Sequence, residues 1–86
     1  MNAWRVSLTR RAGKQLQELE PATRLRVIAA LQAIAEDPYQ GVKPLGPLAG
    51  SRRYRVGAYR IVYQLDAADR VVIVENIRHR GRAYRA

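Results

Sequence analysis

The 86-residue sequence predicts an α+β fold in the order β-α-α-β-β-β, a helical hairpin packed on one face of a mainly antiparallel four-stranded sheet. Three observations carry that prediction. Apolar residues alternate singly near the N-terminus and again beyond residue 52, the period of a half-buried strand. Between Thr9 and Glu36 they recur every three or four residues, the period of a helix face. The later strands are joined by turns short enough to make them antiparallel neighbours. A chain of this length suffices for one core, so residues 1–86 are expected to form a single domain.

Trp4, Val6 and Leu8 alternate with Arg5 and Ser7, which makes residues 3–8 the first strand. Thr9 is a good helix N-cap, and Ala12, Leu16 and Leu19 lie at spacings of four and three along one helix face. Gly13 weakens that helix by up to about 1 kcal/mol relative to alanine. Pro21 lacks the N–H that a continuing helix needs but fits the first turn of a new one. The second helix therefore runs from Pro21 to Glu36, with Val27, Ile28, Leu31, Ile34 and Ala35 as its apolar stripe. Asp37-Pro38 ends it. Gly41, Pro44, Gly46, Pro47 and Gly50 then punctuate residues 39–51, a loop of roughly a dozen residues, a length usually functional or mobile. Strands follow at 53–56 and 59–65 around the tight turn Gly57-Ala58, and at 70–77 after the acidic turn Asp66-Ala67-Ala68-Asp69. Residues from His79 to Ala86 form a basic tail.

Alternation places Tyr54, Val56, Tyr59, Ile61, Tyr63 and Leu65 toward the helices and Arg53, Arg55 and Arg60 away from them. On the last strand strict alternation groups Val71, Ile73 and Ile77 on one side, and Val72, Val74, Asn76 and Arg78 on the other. Trp4, Tyr59 and Tyr63 read as core residues, the tyrosines with their hydroxyls in water.

No apolar run approaches the roughly 18 residues of a membrane span, so no membrane association is expected. The opening Met-Asn-Ala-Trp-Arg-Val has none of the features of a secretory signal, and a cytoplasmic location is expected. There is no cysteine, and the single histidine, His79, cannot build the common zinc or triad constellations; no metal and no cofactor are expected. Neither a P-loop nor a dinucleotide fingerprint is present. The charge is what stands out: 16 basic residues against 7 acidic give +9, and all the basic residues but Lys14 and Lys43 are arginines. Arginine offers a planar, permanently charged fork that pairs with phosphate and stacks on bases. Two-thirds of the excess lies in residues 51–86, the sheet half and tail. A charge run is also what a solvated face looks like, but several guanidiniums on one sheet face repel one another, an arrangement that makes sense when an anion sits among them. The candidate nucleic-acid-binding residues are Arg53, Arg55, Arg78 and Arg82, with Arg60 and Arg80 beside them. His79 is the only side chain with an ordinary pKa near neutrality and is a candidate acid or base. Tyr84, in a polar tail without apolar periodicity, is a further candidate.

The string Arg53-Tyr54-Arg55-Val56-Gly57-Ala58-Tyr59-Arg60-Ile61-Val62-Tyr63, followed by an acidic turn, a valine-rich strand and Arg78-His79-Arg80…Tyr84-Arg85, resembles the RelE branch of the RelE/ParE toxin superfamily. Pro44-Leu45-Gly46-Pro47-Leu48-Ala49-Gly50 is similar to the family's leucine-and-glycine segment before its second strand. The resemblance implies the toxin of a prokaryotic type II toxin–antitoxin system, an endoribonuclease that cuts mRNA in the ribosomal A site and is restrained by a cognate antitoxin with an acidic or amphipathic segment. It implies that Arg60 holds the scissile phosphate, that Arg80 serves the leaving group and that Tyr84 stacks on or orients the substrate. Arg55 stands where the family has a lysine, and a second family lysine has no counterpart because Gly57-Ala58 replaces its segment. The general base is thereby left unassigned. The alternatives are a ParE-like inhibitor of DNA gyrase without nuclease chemistry, and an inactive nucleic-acid- or partner-binding member of the fold.

Overall fold

The computed structural model describes residues 3–41 and 50–79. In chain order these form β1 (Arg5–Leu8), α1 (Arg10–Gln17), α2 (Pro21–Glu36), a single 3₁₀ turn (Pro38–Gln40), β2 (Ser51–Val56), β3 (Tyr59–Asp66) and β4 (Val71–His79). The strands lie in the order β1-β4-β3-β2, with β1 parallel to β4 and the other pairs antiparallel. The expected α+β architecture is what the chain adopts.

Thr9 caps α1 as its type predicts: its hydroxyl accepts from the Ala12 N–H at 3.1 Å. The same hydroxyl donates to the Glu75 carbonyl at 3.3 Å, which seats α1 along the outer edge of β4 where β1 ends. Pro21 occupies the first turn of α2. Val27, Leu31 and Ile34 of α2 pack with Ala12 and Leu19 over Ile61, Tyr63, Val72, Val74 and Ile77 of the sheet. Burying each of the larger aliphatic side chains contributes about 1.5–3 kcal/mol, so this layer supplies most of the favourable free energy of the fold. Trp4, Tyr54, Val56, Tyr59 and Leu65 are partly buried around it.

Several boundaries differ from expectation. β1 starts at Arg5 because the Trp4 N–H leaves the ladder to bond the Ala35 carbonyl at the end of α2, at 2.8 Å. The helical turns of α1 stop at Gln17, although Leu19 is buried as the spacing predicts. β2 begins at Ser51, which pairs with Gln64, and β4 extends to His79, which pairs with Tyr59 and so lies in the sheet, not in a tail. Arg70 precedes β4 in the left-handed region, at φ 55°. In the β2–β3 turn Gly57 takes φ 57°, a glycine-first geometry that suits a two-residue hairpin.

The larger correction concerns β4. Val62 pairs with Asn76 but Tyr63 pairs with Val74, so Glu75 is an extra residue, a β-bulge. It resets the alternation. Val72, Val74 and Ile77 all face the helices, and Asn76 and Arg78 do not share the side of Val72 and Val74.

Tyr63 also differs from expectation. Its ring is buried, and its hydroxyl, expected in water, donates to the Pro38 carbonyl at 2.9 Å and accepts from the Gly41 N–H at 3.1 Å. Burial pushes this phenol above its ordinary pKa, against the smaller opposing pulls of the Gly41 N–H and the Arg52 guanidinium. A side chain at Gly41 would collide with that hydroxyl, which accounts for glycine there. Arg52 holds the same corner from outside, donating to the Tyr39 and Gly41 carbonyls at 3.1 and 3.0 Å.

Candidate functional site

The helices cover one face of the sheet, and Arg53, Arg55, Arg60 and Arg78 belong to the other. Register brings them together: Arg55 of β2 pairs with Arg60 of β3, which pairs with Arg78 of β4. Adjacent strands are about 4.8 Å apart, so three arginine side chains from three strands start from one short row. The next row toward the middle of the sheet is Arg53, Val62 and Asn76. Together Arg53, Arg60 and Arg78 line a cavity of about 410 Å³ whose remaining wall is Ser51, Val62, Glu75, Asn76 and Arg11.

Glu75 is the one carboxylate in that lining, and the bulge turns it outward beside Asn76. Its two oxygens accept from Gln64 Nε2 at 2.9 Å and, at 3.4 Å, from Ser51 Oγ. One carboxylate against four guanidiniums leaves the cavity strongly cationic, suited to an anion that supplies several acceptors at once.

Of the residues predicted from sequence, Arg53, Arg60 and Arg78 meet in this cavity. Arg55 belongs to the same row but does not line this cavity; the residue borders a separate groove of about 410 Å³ between α2 and β2, with Arg26, Tyr54 and Gly57. His79 lies on the helix-facing side of β4, its ring edge-on to Tyr59 at 5.2 Å, and so is not brought to the cavity. Arg80, Arg82 and Tyr84 lie outside the described residues.

Sequence reasoning missed Arg11, Glu75 and Asn76 as members of the site. Arg11 sits one step off the Ala12–Leu16–Leu19 face, and nothing local shows that α1 lies against the edge of β4. The orientation of Glu75 and Asn76 depends on a bulge that strict alternation does not foresee. Among the described residues no three or more His, Cys, Asp and Glu side chains cluster in a way that could hold a metal ion, and no helix is long and apolar enough to cross a membrane.

The arrangement of two helices on one face of a four-stranded sheet is shared with a class of toxins. Residues 6–84 match the family described as the ParE toxin of the type II toxin–antitoxin system parDE. Toxin RelG of Mycobacterium tuberculosis is 32% identical over 82 residues, spanning 93% of this chain and 94% of that protein. The crystal structure of the M. tuberculosis toxin–antitoxin complex RelBE2 superposes with a TM-score of 0.83 at 28% identity, covering 91% of this chain and 99% of that one. The archaeal RelE–RelB complex of Pyrococcus horikoshii gives 0.75 at 26% identity, over 95% of this chain and 99% of that one. The chain belongs to the RelE/ParE superfamily of type II toxins.

Proposed function

We propose that this toxin is an endoribonuclease that cuts messenger RNA in the ribosomal A site and thereby stops translation, acting in the cytoplasm. The observation that supports it best is the register Arg55–Arg60–Arg78 across three strands of the uncovered face, with a cationic cavity beneath it. Cleavage of RNA through its own 2′-hydroxyl needs donors for the charge that develops on phosphorus, a base for the 2′-proton and an acid for the leaving 5′-oxygen. No cofactor enters that chemistry. Arg60, at the centre of the row, holds the scissile phosphate, while Arg53, Arg55, Arg78 and Arg82 hold its neighbours. Arg80 serves the leaving group, and Tyr84 orients the RNA. Guanidiniums are poorly matched to proton transfer near neutrality, so much of the rate comes from holding the RNA in line on the ribosome. His79 enters as acid or base only if the RNA wraps past the end of β4 to its helix-facing side.

A toxin of this kind requires restraint, and a cognate antitoxin with an acidic or amphipathic segment is its partner. The M. tuberculosis and P. horikoshii relatives were solved as complexes with their antitoxins, which supports that assignment. Opposite charge would speed the encounter with a surface this basic.

The test is to induce the protein in cells and map messenger RNA 5′ ends. Cleavage phased to codons is the expected result; intact message overturns the proposal. The match to a family described by its ParE member favours one second reading, inhibition of DNA gyrase without nuclease activity. In that case message stays intact while gyrase stalls on DNA.

A further inference from the structure

The open-face cavity contains one neutral side chain whose orientation the fold dictates. The Ile77 main-chain N–H can only donate, and it donates to Gln15 Oε1 at 2.7 Å. The other prong of Gln15 is therefore its NH₂, which donates to Asn76 Oδ1 at 2.8 Å. With its oxygen held at the edge of β4, Asn76 has its own NH₂ left as the second prong. Asn76 pairs with Val62 on the arginine-bearing face and lines the cavity with Arg60 and Arg78. Reversing Asn76 would set donor against donor at Gln15, and reversing Gln15 would do the same at Ile77. Either fault leaves a part-buried polar group unpaired. Donor polarity thus passes from the backbone of β4 through α1 and back onto the open face.

We infer that Asn76 is a fixed hydrogen-bond donor of this site, oriented by Gln15, and that it binds a non-bridging oxygen of an RNA phosphodiester alongside Arg60 and Arg78. The inference rests on the RNA-directed reading above. The chemistry favours a phosphate over a base edge: guanidiniums and an amide NH₂ offer only donors, a phosphodiester offers only acceptors, and base edges mix the two. Glu75, the acceptor in the cavity, is engaged by Gln64 and Ser51. A neutral donor also adds a bond without the repulsion that another guanidinium would bring. Gln15 touches no substrate and is a positioning residue.

The probe is a short single-stranded RNA bearing 2′-O-methyl groups, which cannot be cut through its own 2′-hydroxyl, so binding is read apart from cleavage. In ¹⁵N-labelled protein the Asn76 side-chain NH₂ resonance shifts on titration. Asn76→Ala weakens binding about tenfold. Asn76→Asp, which keeps an acceptor for Gln15 but loses the donor and adds negative charge, weakens it more. Gln15→Met, neutral and of similar size, frees Asn76 to rotate and weakens binding several-fold, but makes no further difference in the Asn76→Ala background. Wild-type affinity in Asn76→Ala, an unmoved Asn76 resonance, or additive losses in the double variant each overturn the inference. Binding as described by a protein that leaves ribosome-bound message intact would retire the nuclease reading and leave this site standing.

Discussion

Arg60 is paired with an arginine on each adjoining strand, so it is the member of the row with most to gain from a bound phosphate. Removing a donor aimed at developing charge typically costs about 100- to 1,000-fold in rate, and Arg60→Ala is expected to lose at least the lower figure on ribosome-bound messenger RNA, measured by primer extension. Arg60→Lys keeps the charge but not the fork and should fall between the two. On the opposite face Tyr63 makes a separate case. Tyr63→Phe strips the Gly41 N–H and the Pro38 carbonyl of their partner and should cost about 1–3 kcal/mol in urea unfolding. The pH dependence has a definite sign. The folded-state pKa of Tyr63 is raised, so the native state holds its proton more tightly than the unfolded chain does; that stability is fully present below about pH 10 and is lost as pH rises through the higher folded value. Tyr63→Phe should flatten the fall in melting temperature on the alkaline side of pH 10, and an unchanged slope would assign that fall to other groups.

At the level of elements, α1 takes over where β1 stops. Thr9 and the side chain of Gln15 occupy the edge of β4 that β1 leaves uncovered, so a short helix does the work of a longer strand. Thr9→Ala removes the cap and the bond to Glu75 together and should cost about 1–2 kcal/mol, read from the urea midpoint at constant m. The helices and the β2–β3 hairpin were legible in the sequence because their signals are local: Thr9 before a helical period, Pro21 at a first turn, Gly57 between alternating strands. The sharing of one face by Arg53 and Arg60 was legible for the same reason. The separation of Val72 and Val74 from Asn76 and Arg78 was not, because it depends on how β4 pairs with β3, and pairing is a property of two strands. Arg11 and Gln15 were invisible as site residues on similar grounds, since α1 meets β4 some sixty positions along the chain, as in the Gln15–Asn76 bond.

For the molecule as a whole, a net charge of +9 on 86 residues opposes folding through self-repulsion, and the arginine row concentrates that cost on one face. Neutralising Arg53 or Arg78 to glutamine should therefore raise the melting temperature of the free protein at low salt while weakening RNA binding. The stability gain should shrink in 0.5 M salt, where the Debye length falls to about 4 Å. RNA affinity should fall steeply with salt, by roughly 0.7 units of log–log slope for each phosphate neutralised. An anionic partner acts in the opposite direction and stabilises the fold by mass action. The bulge of β4 gives this surface an unusual evolutionary freedom. The extra residue points the same way as the next, so a lineage that lost the single codon for Glu75 would still have Val74 and Ile77 facing inward and Asn76 and Arg78 facing outward. The carboxylate can be gained or discarded without compensating change in the core, whereas a one-residue slip in the regular part of the strand exchanges its inner and outer sides.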